Sequence, residues 1–449
     1  MSTTVIILIA YLLILTGIAV YSYRKVSNYT DFFIARKSGN VLFITGSLTA
    51  TILGGSAIIG AIDEGPAIGW ATSWYMTSAA IGLFVLIPLI PRVSQFGKYS
   101  LPDLLGNVYQ NKQAKTISSL IIPVAWIGII AAQIIAAARI LQSFTGMDYS
   151  LGVLVSGSVF ILYTLTGGQF SVLKTDLFQA ILILVGLSVI SFFVFLKSCA
   201  PIQDLTPLKF PFNIHFGPVD LVILLITYSS TFTFGPDIYS RIFCSKNNDT
   251  AKKSVFLTAL ILLFVACCIG LISAFGSRCI TPSANGSLMI DVCQQVLPTW
   301  SVGLVVLALL SAVLSSAATT ILSASIIVTD LIEKGNFGNK TLPTTRICMT
   351  VVGIVSILIA LNFTSIIGIL MIALTVYSGA FMVPILFGLT GVKIAPNALT
   401  PAVIAGGATA LAGKILFSAG ITGPGNAVII SSFILNGIIL LWNKKSHTK

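Results

Sequence analysis

Thirteen apolar stretches, each near the length a helix needs to cross a bilayer, follow one another between about residue 4 and residue 442. A chain that must hide its backbone polar groups in lipid has two solutions, helices or a closed barrel. Runs of this length select helices. Of the 449 residues, 56% are hydrophobic and 8% charged, and the mean hydropathy is +1.01, so little soluble mass is left between the spans. The expected fold is an all-α integral membrane protein. The first stretch, about 4 to 22, has no basic residue before it and no clear small-residue cleavage pattern after it, and reads as a retained helix.

Charge orders the loops. With the N-terminus outside and an odd number of spans, the inner loops and tail carry 20 of the 25 Lys and Arg. Only Lys197, Lys209, Arg278 and Lys414 fall outside, and Arg139 lies in a helix near its end, where it is expected to reach the interface. The net charge of +12 is this asymmetry summed over many short loops, which excludes a nucleic-acid partner. Two histidines and seven cysteines without a CxxC pair exclude a zinc site. Cys279 and Cys293 share one outer loop, where a disulfide can form. No His/Asp pair or activated nucleophile stands inside the spans, so an enzyme is not expected.

The spans are not all regular. Gly54-Gly55 falls in the middle of the stretch 41 to 62, and two adjacent glycines in a helix interior invite a break. Gly235-Pro236 interrupts the hydroxyl-rich ITYSSTFTFGPDIYSRIF five helices later. Interrupted segments in corresponding positions of two halves point to inverted repeats with a site at the midplane. The organisation expected is an N-terminal extra helix and inner loop (1–40), a first repeat (41–199), a second repeat (200–390) and two C-terminal helices with a short tail (391–449).

The third helix of the second repeat carries SAVLSSAATTILSAS. Helical spacing puts Ala312, Ser315, Ser316, Thr319 and Ser323 on one face. Such a face either lets a neighbouring helix pack closely or offers that neighbour a ladder of oxygens, which suits a hard monovalent cation. Asp176 opens the stretch 176 to 197 after Gly167-Gly168, as a helix cap or as a cation ligand reached from the inner side. Asp237 stands four residues before Arg241, at the spacing of a helical ion pair.

Four stretches in order, DFFIARKSGN, TLTGGQFSVLKTDLFQA, GPDIYSRIFCSKN and SAVLSSAATTILSASIIVTDL, resemble the sodium:solute symporter family, which includes proline, pantothenate, sialic acid and galactose transporters. The resemblance implies a LeuT-like core of two inverted five-helix repeats, with one helix before and two after. It implies a sodium ion held by the carbonyls of Ala50, Leu53 and Ala312 and the hydroxyls of Ser315 and Ser316. A second sodium, present in some relatives, would use Asp176, Ser315, Ala318 and Thr319. Ala318 lacks the hydroxyl, which favours one ion and leaves Asp176 and Thr319 to an exit path. Substrate contacts by position are Ser56, Ala57, Tyr75, Met76, Ser229, Ser230, Thr231, Thr233 and Asp237, a set unlike a galactose site. The expected activity is sodium-coupled import of a small organic solute, such as an amino acid or carboxylate, by a monomer in the inner cell membrane. A proton-coupled or facilitative carrier of the same fold is the alternative. A transporter-like receptor would need a signalling domain, and the tail after Trp442 is only NKKSHTK.

Overall fold

The computed structural model describes residues 28–197, 210–280, 287–392 and 394–442, with Tyr11, Leu13, Ile14, Gly17, Ile18 and Tyr21; the side chains of 277–279 and 396 lie outside that description. The described chain is helical. Ten helices among these residues are long and apolar enough to cross a membrane, and a bent pair can serve as an eleventh span.

A short helix, α1 (Tyr29–Ile34), is capped by Asn28, whose side chain accepts the Asp31 N–H at 2.9 Å. Asp31 in turn takes a two-pronged ion pair from Arg36, at 2.5 and 2.6 Å. Asn40 caps the next helix by accepting the Phe43 N–H, which starts α2 (Val41–Ile52). Its continuation, α3 (Gly55–Asp63), is bent from it by 45°. The break is where the two glycines predicted it.

The chain then runs through α4, the span Gly65–Phe96, a surface helix α5 (Leu101–Tyr109) and α6 (Lys112–Thr145). Next comes α7 (Tyr149–Lys197), 49 residues of helical backbone interrupted at Gly168, where φ is 54° and ψ is −158°. A straight helix of that length would reach roughly 73 Å, more than twice the hydrocarbon thickness of a bilayer. It is not straight. The Tyr163 hydroxyl meets that of Thr175, twelve residues on, which in a continuous helix would be about 18 Å away along the axis. The chain therefore doubles back at Gly168, and the two arms correspond to the expected spans 150 to 167 and 176 to 197. Helix resumes at Gln169, so Asp176 lies two turns inside the second arm and is not the cap that its position in sequence suggested.

The second half repeats the pattern. Helix α8 (Pro218–Phe234) and α9 (Pro236–Cys244) flank Gly235, which has φ −66° and ψ 135°; Gly54 in the first half has φ −66° and ψ 156°. Then follow α10 (Asn248–Cys279), a short α11 (Leu288–Gln295), α12 (Thr299–Glu333), α13 (Thr341–Asn362) and α14 (Ile366–Thr390). The last pair, α15 (Leu399–Ser418) and α16 (Thr422–Trp442), pack on each other and on α14. The stretch about 4 to 22 lies outside the described residues apart from the six positions above. Of these, Tyr11 is buried, and its hydroxyl accepts from Ser311 at 2.8 Å and Gln179 at 3.0 Å.

Helix α12 sits centrally, against α2, α6, α7 and α13. Its hydroxyl face is buried throughout. By contrast, Val351, Ile354, Val355 and Leu358 form an exposed apolar stripe along α13, as a surface turned to lipid requires. The segment before α2 is stitched to the end of α9. Gly39 N–H donates to the Cys244 carbonyl, and Lys246 N–H donates to the Gly39 carbonyl, both at 3.0 Å. Nearby, Lys115 on α6 bridges Asp103 of α5 (2.6 Å) and Asp330 of α12 (2.8 Å).

Candidate functional site

The break in α2–α3 frees backbone carbonyls that a continuous helix would have consumed. Helix α12 meets them. Ser315 Oγ donates to the Ala50 carbonyl at 2.9 Å and lies 3.1 Å from the Ala312 carbonyl. Ser316 Oγ donates to the Thr51 carbonyl at 2.5 Å and stands 3.5 Å from that of Ala50. Four of the five oxygens expected from sequence thus converge between two helices, in a region shut off from solvent. The Thr51 carbonyl joins them, which sequence reasoning missed. Leu53, the fifth expected contributor, is fully buried and ends α2, its own N–H bonded to the Thr49 carbonyl. Gly54 is needed here for closeness. A Cβ on it would come within 2.6 Å of Ser316 Oγ and 2.7 Å of Gln133 Nε2. Neutral oxygens from carbonyls and hydroxyls are the donor set a hard cation takes.

One turn further along α12 the chemistry changes. Arg241 of α9 is fully buried. Its Nη2 donates to Asp176 Oδ2 at 3.1 Å and to Thr319 Oγ1 at 2.5 Å. Its Nε donates to Ser47 Oγ and its Nη1 to Gln169 Oε1, each at 2.9 Å. Ser47 Oγ donates to the same Asp176 oxygen at 2.5 Å, while Asp176 Oδ1 is buried without a hydrogen-bond partner among the described residues. Arg241 thus pairs with Asp176 and not with Asp237, the partner that four-residue spacing offered. Helical spacing brings two side chains to one face, but the guanidinium instead turns inward to a carboxylate that is buried more deeply. Asp237 remains in the first turn of α9, with Oδ1 buried and without a hydrogen-bond partner among the described residues. Thr319 is also 3.3 Å from Thr51 Oγ1, so it touches both the oxygen cluster and the ion pair.

The expected substrate contacts divide. Ser56, in the first turn of α3, is held by Gln133 of α6: its N–H donates to Oε1 at 3.2 Å and its Oγ accepts from Nε2 at 2.6 Å. Gln133 carries no local signal in sequence beyond being a lone amide in an apolar run. Ala57 and Met76 are buried. Tyr75 packs edge-on to Tyr228, ring centres 5.3 Å apart, and Tyr228 in turn contacts Phe232 at 5.5 Å. The hydroxyls of Ser229, Ser230 and Thr231 each bond the carbonyl four residues earlier in α8. Thr233 does the same at 2.7 Å and also donates to the Gly82 carbonyl of α4 at 2.8 Å, fastening the two helices. These four hydroxyls are thus spent mainly on the helix itself. Cys293 is a buried free thiol; the Cys279 side chain lies outside the described residues, and no bridge joins the two among described contacts. Arg139 donates to the Thr364 carbonyl, just past the end of α13, at 2.7 Å.

Comparison with known proteins bears on the family and the fold. The sodium/pantothenate symporter of Escherichia coli is 29% identical over 191 residues, 40% of this chain and 39% of that protein, so the match spans well under half of the relative's length. The sodium/proline symporter of Staphylococcus aureus is 24% identical over 389 residues, 80% of this chain and 75% of that one. Among solved structures, a substrate-bound, outward-open Na+-coupled sialic acid symporter superimposes with a TM-score of 0.77 at 16% identity, over 98% of both chains. MhsT in complex with L-phenylalanine gives 0.61 at 12% identity, over 90% of this chain and 98% of that one. These two share the fold, which is LeuT-like. A family model matches residues 32–404, the greater part of the chain, and the protein belongs to the sodium:solute symporter family.

Proposed function

We propose that the chain imports a small organic solute together with sodium, by alternating access across the cell membrane. Membership of the family makes it a transporter and not an enzyme. The observation that carries the coupling is the meeting of Ser315 and Ser316 with the carbonyls of Ala50 and Thr51. The two hydroxyls donate to those carbonyls in the structure. With sodium they turn their lone pairs to it, alongside the carbonyls of Ala50, Leu53 and Ala312. The cluster is shared between α2 and α12, so any tilt of one against the other changes its affinity. Sodium then favours the state in which the two helices are close, and separation releases it; coupling requires that difference and nothing more.

One sodium is transported per cycle in this reading. Asp176 and Thr319, the positions that a second ion would use, hold the Arg241 guanidinium instead, and Ala318 adds no hydroxyl. The unpartnered Asp176 Oδ1 leaves these residues a place on the ion's exit path. Solute would sit at the α3 break, near Ser56, Ala57, Gln133, Tyr75, Met76 and Tyr228, with Asp237 at the matching break in the second half. Matched extended glycines at 54 and 235 support the two repeats, 41–199 and 200–390. Charge asymmetry supports an N-terminus outside and a C-terminus inside.

The test is uptake of a solute panel into proteoliposomes under a sodium gradient or a proton gradient. Accumulation driven by sodium supports this reading. Accumulation driven by protons alone, or equilibration with no gradient effect, replaces it with the proton-coupled or facilitative carrier.

A further inference from the structure

A cavity of about 220 Å3 lies away from the sodium cluster, where the end of α3 meets the C-terminal helix pair. It is lined by Tyr75, Thr227 and Thr375 and by the apolar Leu224, Ile367 and Met371. Three charged side chains line it, Glu64 at the α3–α4 link, Asp220 in the first turn of α8 and Lys414 on α15. A wider recess of about 590 Å3 adjoins it, sharing His215, Asp220, Phe417 and Asn426, and gives it a mouth.

What distinguishes Glu64 and Lys414 is that neither is spent. Asp220 accepts the Gly217 N–H at 2.9 Å and the Asn426 amide at 3.3 Å. His215 is exposed at the rim. Glu64 makes no hydrogen bond or ion pair through its side chain among the described residues, and Lys414 Nζ only lies over the Phe417 ring, 4.6 Å from its centre. The two are close enough to feel each other: burial pushes the Glu64 carboxyl above its ordinary range, and Lys414 opposes that rise. They are nevertheless not within contact distance. Two opposite half-buried charges held apart across a cavity are costly unless something bridges them. The Tyr75 hydroxyl likewise has no partner among the described residues.

We infer that this cavity is an outer recognition vestibule for a small zwitterion of the α-amino-acid type. Lys414 takes its carboxylate, Glu64 its ammonium, and the wall of Leu224, Ile367 and Met371 its apolar side chain. A solute carrying one charge would satisfy one residue and leave the other bare. The vestibule deepens the transport reading and rests on it, since Tyr75, which lines the cavity, is also among the residues proposed to meet the solute. It also gives the C-terminal helix pair a part in recognition, because Lys414 comes from outside the ten core helices.

The experiment uses the full chain in detergent and in sodium-free buffer, so that binding at the sodium-dependent central site does not contribute. L-leucine and L-proline are compared with their methyl esters, which keep only the ammonium, and their N-acetyl forms, which keep only the carboxylate, by thermal shift and by equilibrium binding. Zwitterions should bind at least about tenfold more tightly than either blocked form. Glu64→Gln should remove the advantage over the N-acetyl forms, Lys414→Gln that over the esters, and Lys414→Arg should keep binding within about threefold, showing an intact fold. Equal binding of the three ligand types, or wild-type selectivity in both neutral variants, overturns the vestibule. Sodium-driven uptake of a solute without both charges also overturns it while leaving the transport reading intact. Zwitterion binding with the expected selectivity, but no sodium-driven uptake, does the reverse.

Discussion

Arg241 and Asp176, 65 residues apart, meet at 3.1 Å where both side chains are buried, and the pair ties α9 to α7. A buried charge left alone is expensive, so each is held only because of the other. Arg241→Gln should destabilise the protein by about 3–5 kcal/mol, and the double variant Arg241→Gln/Asp176→Asn should recover most of that loss. Melting of the purified protein in detergent measures both. A single variant as stable as wild type, or a double variant no better than the single, contradicts the pairing.

The reversal inside α7 depends on Gly168. Its φ of 54° with ψ of −158° belongs to a region that only glycine occupies readily, and a Cβ there would lie 2.8 Å from the Phe32 carbonyl oxygen. Gly168→Ala should cost about 1–3 kcal/mol of stability from backbone strain alone. Gly146, also at positive φ but with open space around it, is the control: Gly146→Ala should cost less. Equal losses at the two positions would show that neither the rarer backbone region of Gly168 nor its contact with Phe32 carries weight.

Gln133 holds both polar groups of Ser56 at the start of α3. Gln133→Leu, similar in size, leaves these groups buried and unpaired, at about 1–3 kcal/mol. In transport assays the half-saturating solute concentration should rise about tenfold or more, from the same energy. The half-saturating sodium concentration should move less than threefold. An unchanged solute affinity contradicts the placement of Gln133 beside the solute.

Sequence carried the architecture because apolar length, charge and glycine breaks are local signals. The Gly54 bend and the facing of Ser315 and Ser316 toward Ala50 follow from one helix being interrupted and another presenting hydroxyls on one side. The partnerships of Gln133 with Ser56 and Arg241 with Asp176 were illegible for the opposite reason. They join residues far apart in the chain, and no spacing encodes them. In the case of Arg241 the local signal misled, because Asp237 at four residues is the natural helical neighbour. The hydroxyls from Ser229 to Thr233 were also ambiguous, since serine and threonine in an apolar helix can serve a ligand or bond back to their own backbone, and here they mostly bond back.

Ser316 gives the most direct test of sodium coupling through α2 and α12. Its hydroxyl is 2.5 Å from the Thr51 carbonyl and borders Gly54, so Ser316→Ala removes one oxygen from the cluster without adding bulk. Uptake is measured in proteoliposomes over a range of external sodium. Wild-type protein should accumulate solute only with an inward sodium gradient, and Ser316→Ala should need about tenfold more sodium for half-maximal uptake while reaching solute binding comparable to wild type when sodium is saturating. Uptake that ignores the collapse of the sodium gradient, together with a sodium response unchanged in Ser316→Ala, would contradict it.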